Sequence, residues 1–282
     1  MRLVTDVLLA TSSGYRDGEP GHELLDEALA ARGLSSRWAV WDDPFVDWSE
    51  AGVVCVRSTW DYHTRLPDFL GWAGSVGPRL LHGVEVFRWN TDKSYLDDLA
   101  RLGSLPTVPT VLADDPVDLR AAIARFGTAV VKPRVGAGGR GIVIVRDAAT
   151  WLPVDAGPWI VQPLLESVHH EGEVSVFVMA GHPVSQVDKV APAHDIRVHE
   201  EYGGTSTAAV LTHEAAMLAV DAVAATTEIL GSKIVYARVD MLRSDGRLLV
   251  SEVEVTEPGL YLDLVPDNAE RFADAVAAHL GR

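Results

Sequence analysis

Ser251-Glu252-Val253-Glu254-Val255 sets two carboxylates two residues apart, so a β-strand there carries both on one face. Leu249, Val253 and Val255 would then line the opposite face. Asp240 lies across a connection, Ser244-Asp245-Gly246, that fits a three-residue hairpin loop with Gly246 left-handed. That register puts Asp240 opposite Val250 and on the face of Glu252 and Glu254. A two-residue turn through Asp245-Gly246 would slip the register by one and send Asp240 to the other face. Three carboxylates converging on a half-buried face repel one another unless a cation sits among them. Oxygen ligands without cysteine or histidine point to magnesium, with manganese the alternative, and not to zinc. The reading without chemistry is a solvated polar face on an edge strand.

A second group of residues suits phosphate. Gly136-Ala137-Gly138-Gly139-Arg140-Gly141 matches G-x-G-x-x-G, yet Ile142-Val143-Ile144-Val145 follows, a β-branched strand where a dinucleotide fold needs a helix. No G-x-x-x-x-G-K-[ST] is present either. What remains is a glycine flap between antiparallel strands, able to lay backbone N–H groups over phosphates, with Arg134 and Arg140 adding charge. Lys132 ends the strand that enters the flap. Only four of the 24 lysines and arginines are lysines: Lys93, Lys132, Lys189 and Lys233. A lysine kept in so arginine-rich a chain suits a task that needs a compact point charge, such as holding phosphate.

The elements that must position these groups read as follows. Strands at Val7–Ala10, Ser36–Val40 and Val53–Val56 alternate with helices at Glu23–Arg32 and Leu66–Trp72, the βαβ signature of a small parallel sheet. Helices follow at Lys93–Leu102 and Leu119–Phe126, with a turn into a new unit at Thr107–Pro109. Strands at Thr128–Lys132, Gly141–Val145 and Trp159–Val161 flank the flap. The last third holds strands at Val174–Met179, Val184–Val190, Ile234–Leu242 and Leu248–Val255, with helices at Ala215–Leu230 and Ala269–Leu280. The fold class is thus α/β, more fully α+β, divided at 1–88, 89–164 and 165–282.

Composition narrows the setting. With 282 residues, 48% of them hydrophobic, the chain can bury a sizeable core. Its formal net charge of -16 argues against nucleic acid or an anionic membrane as partner. A single cysteine, Cys55, sits in an apolar strand, excludes an internal disulfide and fits a cytoplasmic protein. Met1 to Ala10 is too short and too quickly polar for a signal peptide, and no apolar run approaches a membrane span. The expected partner is a small molecule resembling an amino acid, and a homo-oligomer is compatible with this composition. His169-His170 lacks a third ligand at useful spacing and reads as an exposed loop.

Taken together these pieces resemble the ATP-grasp superfamily, in its glutathione synthetase-like branch. The resemblance implies an amino-terminal Rossmann-like substrate domain, a central lid domain and a carboxy-terminal metal-binding domain enclosing ATP and Mg2+. Asn90-Thr91-Asp92-Lys93 looks like the first phosphate lysine at a helix start. Val131-Lys132-Pro133, with Gly136, Gly138 and Gly139, looks like the second lysine and the phosphate loop. Val161-Gln162-Pro163-Leu164-Leu165 resembles the hinge that bonds adenine, with Gln162 and Leu164 its ATP residues, and Glu173 matches the ribose ligand. The resemblance makes Asp240, Glu252 and Glu254 the metal ligands, and Lys189, Arg197 and Arg238 the catalytic cations. Glu252-Val253-Glu254 departs from the usual Glu-x-Asn, and Ser175 stands where relatives carry a basic residue.

Arg57-Ser58-Thr59-Trp60-Asp61-Tyr62 and Arg88-Trp89-Asn90 look most like the O-ureido-serine cyclo-ligases, which close the ring of D-cycloserine. An exposed Arg57–Trp60–Asp61–Tyr62 cluster would hold a zwitterionic amino acid by charge and stacking; alternatively, Trp60 and Tyr62 pack a domain joint. The implied activity forms an acyl phosphate on an amino-acid carboxylate, which a nitrogen of the same molecule attacks. An intermolecular amide ligase and a non-catalytic nucleotide-binding module are the alternatives.

Overall fold

The computed structural model describes residues 5–149, 151, 153 and 156–282; residues 1–4 of the segment weighed against a signal peptide lie outside them. The chain begins with β1 (Thr5–Thr11), α1 (His22–Ala31), β2 (Ser36–Val40) and β3 (Ala51–Ser58), followed by α2 (Leu66–Val76) and α3 (Val84–Asn90). The three strands pair in parallel in the order β2-β1-β3. Both faces of this sheet are covered, which is why β1 and β3 read as unbroken apolar runs. Leu8, Ala10, Val54 and Val56 pack with Phe69 of α2 and Phe87 of α3, while Leu9, Val53 and Cys55 pack with Leu25 and Leu29 of α1.

A second sheet follows α4 (Tyr95–Arg101). It contains β4 (Val111–Ala113), β5 (Ala129–Pro133), β6 (Val143–Val145) and β7 (Trp159–Pro163), with α5 (Pro116–Phe126) between the first two. All pairs are antiparallel in the order β4-β7-β5-β6, so the glycine flap does join antiparallel neighbours. Asp115 caps α5, accepting from the N–H groups of Val117 and Asp118 at 2.7 and 2.9 Å. Val131, Val145, Trp159 and Val161 pack on Leu119 and Ile123 of α5. By strand alternation, Lys132 and Gln162 project from the opposite face.

The third sheet is built from β8 (Glu173–Met179), β9 (His182–Val190), β10 (Thr205–Ala209), β11 (Tyr236–Ser244) and β12 (Arg247–Glu254), ordered β10-β9-β8-β11-β12. One face packs Val176, Val178, Val239, Met241 and Val253 on Ala215, Ala219 and Ala222 of α6 (His213–Leu230). The other is divided. Phe177, Met179 and Tyr236 meet Phe272 and Val276 of α7 (Asp267–His279), and the remainder carries the charged groups described below.

Three local expectations change. The Thr107–Pro109 segment runs beside β12, with Val108 N–H donating to Val250 O at 2.9 Å and Val250 N–H to Pro106 O at 2.8 Å. Lys93 precedes α4 and does not begin it, because its N–H goes to Arg134 O (2.8 Å) and Asp92 Oδ1 accepts from Ser94 N–H (2.9 Å). Three elements, α3, β4 and β10, stand where the sequence reading placed none.

Candidate active site

The β11–β12 hairpin turns through Asp245-Gly246 alone, since Ser244 pairs with Arg247. Both turn residues have positive φ, 50° and 75°, as a two-residue primed turn requires. The expected three-residue loop is therefore corrected, and by itself this turn would send Asp240 to the wrong face. A bulge restores it. Met241 pairs with Val250 but Asp240 with Glu252, leaving Ser251 unpaired. Leu248 and Val250 face the core on the turn side of the bulge, and Val253 and Val255 on the other, so Leu249 does not belong to the core face. Asp240, Glu252 and Glu254 each offer an oxygen, all within 4.8 Å of one another.

A second layer holds this trio. Arg238 grips Asp240 with Nε to Oδ1 at 2.9 Å and Nη2 to Oδ2 at 2.8 Å, and its Nη2 also donates to Glu254. Lys189, 1% exposed, lies 3.0 Å from Glu173 and 3.4 Å from Asp240. Ser175 donates to Asp240 Oδ1 at 2.5 Å. Burial would raise the Asp240 carboxyl, but Arg238 and Lys189 hold it well below the usual carboxylate range. Burial pushes Glu254 up to about 7, with Arg238 opposing and Glu252 and Asp240 adding to the rise. The all-oxygen donor set, with no histidine or cysteine among it, fits a hard divalent cation.

Lys93 reaches Glu252 because Asn90 ties the end of α3 to β12: its Nδ2 donates to Val253 O, and its Oδ1 accepts from the N–H groups of Val255 and Thr256. Tyr95 adds a further edge contact, its hydroxyl accepting from Val253 N–H at 2.9 Å. Lys132 has no ion pair or hydrogen bond among the described residues; burial lowers its ammonium, with Glu252 only partly offsetting. The expectation that Arg134 adds charge over phosphate is corrected. Its guanidinium forks onto Asp92 at 2.9 and 2.7 Å and reaches Asp114 at 2.8 Å, which ties the root of the flap to the Lys93 turn. At the flap tip Gly139, with φ +69°, sits so close that a Cβ there would lie 3.3 Å from the Arg197 side chain. Arg197 pairs with Asp195 and stacks over Tyr202 at 3.6 Å.

The ATP-grasp domain family of prokaryotic glutathione synthetase matches residues 100–264, more than half of the chain. The chain belongs to the ATP-grasp family. Residues 7–82 match the amino-terminal domain of D-cycloserine synthetase DcsG. This ATP-grasp ligase is 31% identical over 277 residues to the cycloserine biosynthesis protein DcsG of Streptomyces lavendulae, covering 90% of this chain and 92% of that one. The crystal structure of D-cycloserine synthetase DcsG matches with a TM-score of 0.86 at 28% identity, over 97% of this chain and 99% of that one. D-alanine–D-alanine ligase from Bacillus anthracis, with a TM-score of 0.68 at 15% identity over 99% and 98% of the two chains, shares the fold alone. As a family member the chain is an ATP-dependent ligase that forms carbon–nitrogen bonds and uses ATP with Mg2+.

Other residues of this ATP-grasp ligase sit differently from expectation. The cluster at Arg57 is not exposed: Arg57, Ser58 and Thr59 are each 0% exposed and Tyr62 is 4% exposed. Arg57 donates to Glu19 Oε1 at 2.9 and 2.6 Å and to Pro258 O at 2.7 Å, which commits Nε and Nη2 to holding the chain and leaves only the buried Nη1 without a partner. Trp60 Nε1 donates to Glu257 O at 3.1 Å, and Trp41 Nε1 to Asp61 at 3.0 Å. At the hinge, Gln162 turns its amide to Thr110 (2.9 Å), and Leu164 N–H goes to Thr128 O (3.3 Å). Glu173 stands beside Lys189, and burial raises its carboxyl. Sequence reasoning missed Glu257, buried three residues past Glu254 and pushed by burial up to about 8, with Glu254 adding to the rise. Its place after an acidic strand and before Pro258 was the available signal.

Among the described residues, no helix is long and apolar enough to cross a membrane.

Proposed function

We propose that this chain activates the carboxylate of an amino-acid substrate as an acyl phosphate at the expense of ATP, and that a nitrogen of the same substrate then closes a ring. The full-length likeness to DcsG supports an O-ureido-serine-like substrate and a cycloserine-like product. Asp240, Glu252 and Glu254 would hold magnesium, or manganese in its place, and a divalent ion there offsets phosphate charge. Lys132 and Lys93 take the phosphates, Gly136, Gly138 and Gly139 close over them, Gln162 and Leu164 border adenine, and Glu173 faces ribose. Lys189 and Arg238 keep Asp240 ionised and orient it and its neighbours. Arg197 stands at the flap tip, where negative charge develops on the tetrahedral intermediate. The units 1–88, 89–164 and 165–282 would serve substrate, lid and metal in turn, in a cytoplasmic enzyme.

One observation carries this reading above the others: Lys132 is left without a partner on the sheet face opposite α5, within the field of Glu252. A cation so placed answers the negative charge of a nucleotide. The test is coupled ADP release from a panel of amino acids that includes O-ureido-serine, with product mass distinguishing ring closure from joining of two molecules. Lys132→Ala is expected to abolish ADP release while its thermal melt stays that of the parent. Full ADP release from that variant would remove the nucleotide site.

A further inference from the structure

The lysine, arginine and carboxylate side chains around the metal trio are matched with one another, save two. Asp240 is shared by Arg238 and Lys189, Glu254 by Arg238, Glu252 by Lys93, and Glu173 by Lys189. Lys132 and Glu257 are the residues left over among those described. They do not answer each other, since the groups acting on Lys132 are Glu252, Lys93 and Glu173. Each waits for a different charge. For Lys132 that charge is phosphate, as argued above.

Glu257 is no stray surface acid. It is 7% exposed, and the loop that carries it is fastened on both sides. Before it, Thr256 donates its N–H and hydroxyl to Asn90 at 3.2 and 2.9 Å. At Glu257 itself the carbonyl takes the Trp60 indole N–H. After it, Pro258 O accepts from Arg57, and Leu260 N–H donates to Glu19 at 3.0 Å. A buried carboxylate without a hydrogen-bond partner is unfavourable, and here Glu254 and Glu252 also repel it, with Lys93 and Arg238 opposing. So much backbone anchoring around an unpartnered, buried carboxyl group makes sense where a ligand brings a cation to pair with it.

We propose that Glu257 receives the α-ammonium group of the amino-acid substrate. A second metal ion is the rival occupant, yet Glu257 falls outside the group of oxygens that lie within 4.8 Å of one another. An α-ammonium is one carbon removed from the carboxylate that must approach the trio, and Glu257 is an acceptor close enough to feel the charges of Glu254 and Glu252 without belonging to their oxygen cluster. Half-buried Trp60 and buried Tyr62 close the surroundings with apolar surface that strengthens a charge-assisted hydrogen bond. Arg57 and Trp60, read from sequence as substrate ligands, become positioning residues that hold this loop.

The inference rests on the amino-acid substrate proposed above, and its test separates the two. Binding of O-ureido-serine and of its counterpart lacking the amino group is measured by calorimetry on the full chain with magnesium and a non-hydrolysable ATP analogue. Glu257→Gln is expected to weaken the amino acid by about 30-fold. It should leave the des-amino compound and the magnesium titration unchanged, and Glu257→Asp should recover part of the loss. Equal weakening of both compounds, a shift in magnesium dependence, or a wild type that binds both equally well would overturn the assignment. Ring formation by the wild type is scored separately; its failure alongside ammonium-selective binding sinks the proposed function and spares Glu257. Should O-ureido-serine not bind, the same cycle is run with whichever acid releases ADP, and a substrate without an α-ammonium group overturns the role.

Discussion

Removing the Glu19 carboxylate should unfasten the loop behind the active site and destabilise the whole chain. Arg57 is 0% exposed and Glu19 2% exposed, so water cannot replace one when the other is lost. Glu19 supplies acceptors at 2.9 and 2.6 Å to Arg57 and at 3.0 Å to Leu260 N–H. Arg57 Nη1 already lacks a partner, so Glu19→Ala leaves Nε orphaned as well, with Pro258 O the sole remaining acceptor. Breaking a buried ion pair from one side costs about 3–5 kcal/mol. With a urea dependence of about 3 kcal/mol per molar, the unfolding midpoint should fall by roughly 1–1.7 M. Replacing both partners, Glu19→Leu with Arg57→Met, should cost less than Glu19→Ala alone because no charge is stranded. Fluorescence-monitored urea titration of the three proteins reads this directly. A midpoint lowered by less than about 0.3 M in Glu19→Ala would refute the reasoning, as would a double variant weaker than the single one.

Glu252→Gln removes one of the three converging oxygens and releases Lys93; the magnesium concentration for half-maximal ADP release should rise about tenfold or more, and an unchanged titration would favour the solvated-face reading. His82 accepts from Val235 N–H at 2.9 Å and contacts Val255 O at 2.8 Å, and burial lowers its imidazole from 6.5 to about 4. Between those values the unfolded chain binds the extra proton, so stability should fall as pH drops from 6.5 to 4 and this contribution should be gone below 4. Urea midpoints at pH 7 and 5 should therefore differ more in the wild type than in His82→Gln; equal slopes would deny His82 that role. Gly172 has φ +76°, and a Cβ there would sit 2.2 Å from Lys189 O. Gly172→Ala should thus cost at least about 2 kcal/mol by thermal melt and impair ADP release, whereas Gly33→Ala, with open space at φ +69°, should lose less.

The parallel sheet was legible because β1 and β3 are covered on both faces and therefore read as apolar runs. The glycine flap was legible because a strand, and not a helix, follows Gly141. The hairpin of acids was read correctly for its shared face but by the wrong route. Nothing in Arg247–Glu254 marks Ser251 as skipped, whereas Asp245-Gly246 is the sequence of a two-residue turn. Arg57 illustrates the opposite difficulty. A charge at the end of an apolar strand looks like a ligand-binding group until Glu19, 38 residues away, folds onto it. Short α3 and the exposed edge strand β10 lack the periodicity that burial on one face imposes. Glu257 escaped because a lone acid before a proline resembles a turn, and only the folded loop reveals that it is buried.

The unpaired Ser251 works as a phase shifter in the strand. On its turn side, even-numbered side chains belong to the interior; beyond it, even-numbered side chains belong to the ligand. Regular pairing through this point at unchanged length would set Ser251 opposite Asp240, rotate Glu252 and Glu254 into the α6 interface and bring Val253 out, whereas removing Ser251 itself would leave both acids on the ligand face. The chemistry of this protein therefore depends on an irregularity one residue long, and an engineered or diverged relative with a regular hairpin would need its acids at odd positions to serve the same cation.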